Sequence, residues 1–344
     1  MRRTARRLAL LAGALVAATA LAACGEKKDV LTPTASKGQT VNLMLDWLPN
    51  ADHVGIYDAL ARGDFARAGL DVHVQTPTDP ASPLQLLAAG KVDVAISYEP
   101  ELMLARDKGE PLVAIGAIVQ RPLTSIVSLA YKHITSPSQL RGKRVGDAGI
   151  GYQHAFLQTI LRHAGVPTHS VTETNVGANL VPALISGRID AVLGAYWNYE
   201  AIQLAQQGKH PHVIHVENAG VPTYDELVLV TTENAIATKT NELRRFVQAL
   251  GRGYAAVRSN HRAGVDALVQ ANPSLSPKLQ LASVDATLTS FFPHDPKNPN
   301  LPWGWQSYAQ WTAFGEWMLH EHLISNPATI PGAETNQLLA GQGP

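Results

Sequence analysis

Two stretches far apart in the chain are near copies of one another: LAAGKVDVAIS at residues 87–97 and LISGRIDAVLG at residues 184–194. Each reads apolar, variable, small, Gly, basic, apolar, Asp, then two variable positions and an apolar one. A glycine closes a helix (Gly90, Gly187), a basic residue follows, and an Asp leads into an apolar run. That pattern predicts a helix–turn–strand unit. A chain that carries the same unit twice, in the same setting, is constrained to two similar α/β lobes. Asp93 and Asp190 stand before their strands, where a carboxylate can hold the backbone donors of the turn, so a structural role is expected for both.

The surroundings repeat the rhythm. TVNLML is a short β-rich run, and HVGIYDALARGDF places Val54, Tyr57 and Leu60 on one helix face. GLDVHVQ alternates Leu70, Val72 and Val74 with polar residues, SPLQLLAAGK reads as a helix and VDVAIS as a strand. This βαβαβ order predicts a largely parallel sheet. Further on, GKRVG starts a strand, DAGIG is a small-residue turn, and YQHAFLQTILRHAG is a helix with Phe156 and Ile160 four apart, closed by Gly165. VPTYDELVLVTTENAI supplies another strand, and residues 241–270 read as helical. The segment WGWQSYAQWTAFGEWMLHEHLI puts Tyr308, Trp311, Gly315, Met318 and His322 on one helix face, as packing surface. With 344 residues, two domains are the expectation. Lys plus Arg and Asp plus Glu are both 28, a balance without the electrostatic footprint of nucleic-acid binding. The 13 histidines are scattered, and His210, His212 and His215 on a strand entry do not share a side, so no metal is expected.

The N-terminus follows a different logic. MRRTARR is basic, LALLAGALVAATALAA is apolar and Ala-rich, and the run ends in LAAC. That pattern predicts a secretory leader over residues 1–23. Its end resembles a bacterial lipobox, which implies that Cys24, the only cysteine, becomes the lipidated first residue and anchors the chain to a membrane. Residues 24–39 then read as a polar tether. No later apolar stretch reaches the ~18 residues of a membrane-spanning helix.

The segments LDWLPNADHVGIYDALARGDFARAGLDV, GKVDVAISYEPEL, LRGKRVG and AYWNYE, in that order, resemble the substrate-binding proteins of ABC transporters. The closer resemblance is to the branch that binds thiamine pyrimidine precursors and is related to the eukaryotic thiamine pyrimidine synthases. It covers about residues 41–325. It implies a two-lobed α/β clamp of the type II periplasmic-binding-protein class, with mixed sheets, flanking helices and two crossover strands. Lobe one would comprise residues 40–129 plus 228–325, lobe two residues 130–227, and 326–344 a C-terminal tail. The strands in SIVSLAY and ELVLVTT would carry the hinge. The resemblance further implies an ABC permease and ATPase as partners and a monomeric protein. The synthases carry a cysteine-rich segment and a sacrificial histidine. Here those places read AGVPTYDEL and SYEPEL, with neither residue.

Ligands of open α/β sheets sit beyond the carboxyl ends of the strands. Four junctions stand there: Trp47, Asn50 and His53; Tyr98 and Glu99, with Glu101 nearby; Gly149, Ile150, Gly151 and Tyr152; and Trp197, Tyr199 and Glu200. Tyr224 is added from the later crossover. The aromatics offer faces for a flat ring. A carboxylate can accept from both an amine and a protonated ring nitrogen of an aminopyrimidine, much as it accepts two donors from Arg. Glu200 is the first candidate for that role and Glu99 the second, with helix capping as the plain alternative. The amides at Gly149 and Gly151 could hold a carbonyl or anion, and His53 could bond the ligand or Asp46.

No metalloprotease, P-loop or nucleophile-elbow motif is present, and neither a cofactor nor catalysis is expected. Riboflavin, another heteroaromatic or a small sulfonate fits the same kind of clamp. An exported enzyme acting on a pyrimidine is the competing class.

Overall fold

The computed structural model describes residues 38–342. The leader, Cys24 and nearly all of the tether read from the sequence lie outside the described residues. Ten strands and eleven α-helices follow in the order β1 (Gln39–Met44), α1 (Val54–Ala61), α2 (Asp64–Arg67), β2 (Leu70–Gln75), α3 (Pro83–Ala88), β3 (Val94–Ser97), α4 (Glu99–Asp107), β4 (Leu112–Val119), β5 (Thr124–Leu129), β6 (Arg144–Asp147), α5 (Gly151–His163), β7 (Thr172–Asn175), α6 (Leu180–Ile185), β8 (Ala191–Tyr196), α7 (Glu200–Gln206), β9 (Pro211–His215), β10 (Leu227–Thr232), α8 (Glu233–Ser259), α9 (His261–Ala271), α10 (Pro277–Thr287) and α11 (Tyr308–His320).

They build two five-stranded sheets, ordered β2-β1-β3-β10-β4 and β7-β6-β8-β5-β9. In each, three parallel strands are joined by two antiparallel pairings: β10 lies between β3 and β4, and β5 between β8 and β9. The two sheets therefore have one topology. The result is the two-lobed α/β clamp with two crossovers.

The repeated sequence units do the same work in both lobes. Gly90 and Gly187 end α3 and α6 with φ of 67° and 71°, a conformation that a side chain resists. Asp93 donates its N–H to the Asn42 carbonyl (3.0 Å) and accepts the Asn42 N–H on Oδ2 (2.9 Å). Asp190 does the same with Arg144 (2.8 and 3.0 Å). Lysine completes each pair: Lys239 reaches Asp93 Oδ1 and Lys132 reaches Asp190 Oδ1, both at 2.7 Å. The Arg144 side chain holds the Asp190 carboxyl well below its ordinary value, against the effect of burial. Both aspartates thus lock a strand to its parallel neighbour.

Two boundaries and one helix-face residue differ from the sequence expectation. β5 pairs only within the second sheet, so the chain crosses over at residues 120–123, not at 129. The last segment is not a free tail. Thr335 donates to the Ala114 carbonyl, Ala114 donates to Ala333, both at 2.8 Å, and Leu338 and Leu339 are buried. It covers the otherwise open edge of β4. His322 stands beyond α11 with a left-handed φ of 59°, so it does not share that helix's face.

In lobe one, α8 buries Leu243, Phe246, Val247, Leu250, Tyr254 and Val257, the spacing of one helical face. Gly253 meets α1 so closely that a Cβ there would strike the Gly55 carbonyl and Ala59. The Tyr254 hydroxyl donates to the Asp52 carbonyl at 2.6 Å. This close approach pins the start of α1, where the first candidate residues stand.

Candidate functional site

After β1 the chain turns through Asp46–Asn50 into the short 3-10 turn Ala51–His53. Asn50 caps that turn: its Oδ1 accepts the Asp52 N–H (2.8 Å), and its own N–H donates to His53 Nδ1 (3.2 Å). With Nδ1 accepting, the ring proton sits on Nε2, which lies 2.8 Å from Asp46 Oδ1. The other oxygen of Asp46 accepts from the Tyr98 hydroxyl at 2.8 Å. Tyr98 follows β3, and burial together with the Asp46 charge pushes its phenol well up, so it remains a donor. Asp46 is thus fixed from two sides.

The facing wall comes from lobe two. Ala148, Ile150, Tyr152 and Gln153 stand where β6 meets α5, Leu180 starts α6, Gly194 and Tyr196 belong to the end of β8, and Tyr199 and Glu200 follow it. With Asp46, Trp47, Asn50 and Tyr98 they line one pocket of ≈ 360 Å³. It is tight: the rings of Tyr98 and Tyr152, one from each lobe, stand with centroids 5.2 Å apart, so a further ring enters only if the lobes part. Gln153 Oε1 accepts the Ala148 N–H at 2.9 Å. Gly194, with φ of 98°, is required there because a Cβ would collide with the Gln153 side chain.

The electrostatics are one-sided. Asp46 and Glu200 line the pocket, and no Lys or Arg does. Glu200 accepts the Tyr196 N–H at 2.8 Å, and burial outweighs that bond to push its carboxyl up to about 7. Behind the wall Glu226 accepts from the N–H groups of Leu123 (2.6 Å) and Thr124 (2.8 Å), from the Thr124 hydroxyl (2.9 Å) and from the Tyr224 hydroxyl (3.0 Å). It therefore ties the two crossovers to each other, and burial pushes it, too, up to about 7. Such a pocket suits a flat, neutral or cationic ligand that donates hydrogen bonds, and it repels an anion.

Of the residues singled out in the sequence, Trp47, Asn50, Tyr98, Tyr152, Tyr199 and Glu200 come together in this pocket, with Ile150. The rest stand elsewhere. His53 is buried behind Asp46. Glu99 points away from the cleft, accepting the Asp225 N–H at 2.7 Å, because the second crossover passes beneath it. Glu101 accepts from Ser97 Oγ at 2.6 Å. The Gly149 amide is taken by Asp147 Oδ1 (2.6 Å), and Gly149 and Gly151 face a separate hollow beside α3 and α4. Trp197 donates to the Pro122 carbonyl at 3.0 Å and packs on His215. Tyr224 packs on Phe156 and Phe314. Asp46, Ala148, Gln153, Leu180, Gly194 and Tyr196 were not read as lining residues. Only Asp46, an acid ending an apolar run, and Gly194, where the second repeat carries a glycine opposite Ser97, left a trace in the sequence.

No helix of the described residues is long and apolar enough to cross a membrane. Comparison with known proteins gives the relationships. The alkanesulfonate-binding protein SsuA of Xanthomonas axonopodis pv. citri, solved bound to MOPS, superposes with a TM-score of 0.65 at 15% identity, over 87% of this chain and 99% of that one. That likeness is one of fold. The formylaminopyrimidine-binding protein of Halalkalibacterium halodurans is 34% identical over 309 residues, covering 88% of this chain and 92% of that one. The 4-amino-5-hydroxymethyl-2-methylpyrimidine phosphate synthase THI5 of Saccharomyces cerevisiae is 28% identical over 224 residues, 61% of this chain and 64% of that one. The family described as NMT1/THI5 like matches residues 50–263. With that match across most of its length, the chain belongs to the NMT1/THI5-like family.

Proposed function

We propose that this protein is the substrate-binding component of an ABC importer and that it captures a thiamine pyrimidine precursor of the formylaminopyrimidine type between its lobes. The observation that carries the reading is the pair Asp46 and Glu200, one on each wall of a narrow slot lined by Trp47, Tyr98, Tyr152, Tyr196 and Tyr199, with no cation among the lining residues. An aminopyrimidine presents a flat ring whose edge donates hydrogen bonds, the complement of those walls. Glu200 would meet the amine and a ring nitrogen, Asp46 would accept from the opposite edge, and the aromatic residues would cover the faces. A sulfonate would bring an anion against Asp46 and Glu200 with no Lys or Arg among the lining residues to offset it.

The name of the formylaminopyrimidine-binding relative supports this ligand class. The synthase relative supports a second reading, chemistry on a pyrimidine. Against it stand AGVPTYDEL and SYEPEL, which lack the cysteines and histidine that the synthase resemblance calls for. We therefore take the protein as a non-catalytic, monomeric carrier that hands its ligand to a permease driven by an ATPase. Cys24 would be lipidated and hold it on the outer face of the cell membrane.

Calorimetric titration with a formylaminopyrimidine, with riboflavin and with MOPS tests the ligand. Micromolar or tighter binding of the pyrimidine alone is expected. Binding of MOPS without the pyrimidine overturns the assignment. Palmitate labelling tests the anchor, and label that persists after Cys24→Ser removes it.

A further inference from the structure

We infer that Asp52 and Asn198 form a latch between the lobes, in which a neutral Asp52 carboxyl and the Asn198 carboxamide pair through reciprocal hydrogen bonds, so that closing the cleft takes up a proton.

Asp52 belongs to the 3-10 turn that opens α1 in lobe one, and Asn198 to the loop that follows β8 in lobe two. Both side chains are wholly buried. Asn198 Nδ2 donates to Asp52 Oδ1 at 2.9 Å, and it also reaches the Thr287 and Ser283 hydroxyls of α10 (2.5 and 3.4 Å). One oxygen is left over on each partner. Asp52 Oδ2 and Asn198 Oδ1 are both buried and have no hydrogen-bond partner among the described residues. Two acceptors cannot serve each other, and leaving buried polar atoms unmet is unfavourable. A single proton resolves both. On Asp52 Oδ2 it neutralises the acid and supplies the donor that Asn198 Oδ1 lacks. A carboxylic acid and a primary amide carry matching planar forks, one donor and one acceptor each, so the pair becomes complete.

The surroundings favour that proton. Burial and the nearby carboxylates of Asp46, Glu200 and Glu226 all hold the Asp52 carboxyl well above its ordinary value. Of the uncharged groups around the pair, the Asn198 carboxamide bonds the Asp52 carboxyl, the Ser283 and Thr287 hydroxyls bond Asn198, and the Tyr254 phenol donates to the Asp52 carbonyl. His53, next in sequence, has its Nε2 committed to Asp46. No Lys or Arg is among the groups that shift Asp52.

The latch also joins the two lips of the pocket. The Asp52 N–H holds Asn50 in place, and Asn198 is separated from Glu200 only by Tyr199. When the lobes part, water reaches Asp52, which then ionises in the ordinary carboxylate range. The sign follows: a carboxyl with a higher value in the closed form favours closure at low pH. Above the ordinary range, the closed-to-open ratio falls about tenfold per pH unit until the closed-state value is passed.

This inference rests on the proposed reading only in using a formylaminopyrimidine as its probe. Small-angle scattering of the full chain without ligand, from pH 5 to 9, is the first measurement. The wild-type radius should grow with pH. Asp52→Asn keeps an amide–amide pair that cannot titrate, so its radius should change less over the same range. Asn198→Ala should stay expanded throughout. Calorimetry with the probe in buffers of different ionisation heat is the second, and Asp52→Asn should take up about one proton fewer than wild type. Equal radius profiles and equal proton counts in wild type and Asp52→Asn overturn the latch. If the probe fails to bind wild type, the ligand assignment falls, and the scattering comparison still decides the latch.

Discussion

Tyr98 and Tyr152 meet across the cleft with ring centroids 5.2 Å apart and planes inclined at 49°. One ring belongs to lobe one and the other to lobe two, so their contact exists only while the lobes are together. An aromatic pair of this kind is worth about 0.5–1.5 kcal/mol beyond area burial. A double-mutant cycle with Tyr98→Leu and Tyr152→Leu, read by pyrimidine affinity, should return a coupling in that range, roughly two- to twelvefold. Strictly additive losses would mean that the rings touch without cooperating in closure.

Glu200→Gln keeps the shape of the pocket wall and removes its charge. A hydrogen bond to a charged group contributes roughly 1.5–3 kcal/mol, so affinity should fall about 10- to 150-fold. The acid in the free protein sits at about 7. Sharing one proton between Glu200 and a ring nitrogen then requires uptake from solvent only above that value. Wild-type affinity should accordingly decline as pH rises beyond 7, and the Gln variant should lose that component. Equal affinity for both proteins would leave Glu200 as the cap of α7 alone.

Several buried acids should shape the stability curve of the whole protein. Glu101, Glu200 and Glu226 are each raised to about 7, all chiefly by burial. A raised carboxyl binds more protons in the folded chain than in the unfolded one. Its contribution is full below the ordinary glutamate range and is lost as pH climbs through the raised value. Urea unfolding at successive pH values should therefore show stability falling between about pH 4.5 and 7, by up to ~1.4 kcal/mol per pH unit for each such group. Stability that rises steadily across that window would contradict it.

Glu226 should prove costly to alter. Glu226→Gln presents one oxygen where two backbone N–H groups and three hydroxyls, of Thr124, Tyr224 and Tyr196, now donate. Leaving a buried donor unmet costs roughly 1–3 kcal/mol, and denaturant unfolding should register at least that. The loss should appear with or without ligand, because the residue clamps the crossovers and does not line the pocket.

The sequence carried the two matching sheets and about half of the pocket lining because both depend on local pattern. The repeated units, their glycines and their aspartates are spelled out residue by residue, and strand-end residues converge by topology. What escaped depends on tertiary placement. Glu99 and Glu200 each follow a tyrosine after a strand, yet one turns to the Asp225 amide and the other to the pocket. The difference lies in the crossover beneath Glu99, which local sequence does not encode. β5 reads TSIVSL, a wholly buried strand whose composition fits either sheet, so the boundary near residue 129 could not be resolved from it. Asp46 reads as the acid that stops a strand. Its role as a fixed acceptor emerges only from His53 and Tyr98 converging on it.

The insertion of the whole second sheet between β4 and β10 of the first has a consequence for assembly. All five strands of the second sheet come from one continuous stretch, Thr124 to His215, whereas β3 and β4 of the first sheet cannot be bridged until β10 at Leu227–Thr232 is available. During refolding the second lobe can complete itself while the first still shows two bare strand edges, and pairings across long chain separations are slow to form. The interval before β10 docks is when a freshly diluted chain is most exposed to edge-to-edge association, and it is the step that a folding helper would have to cover.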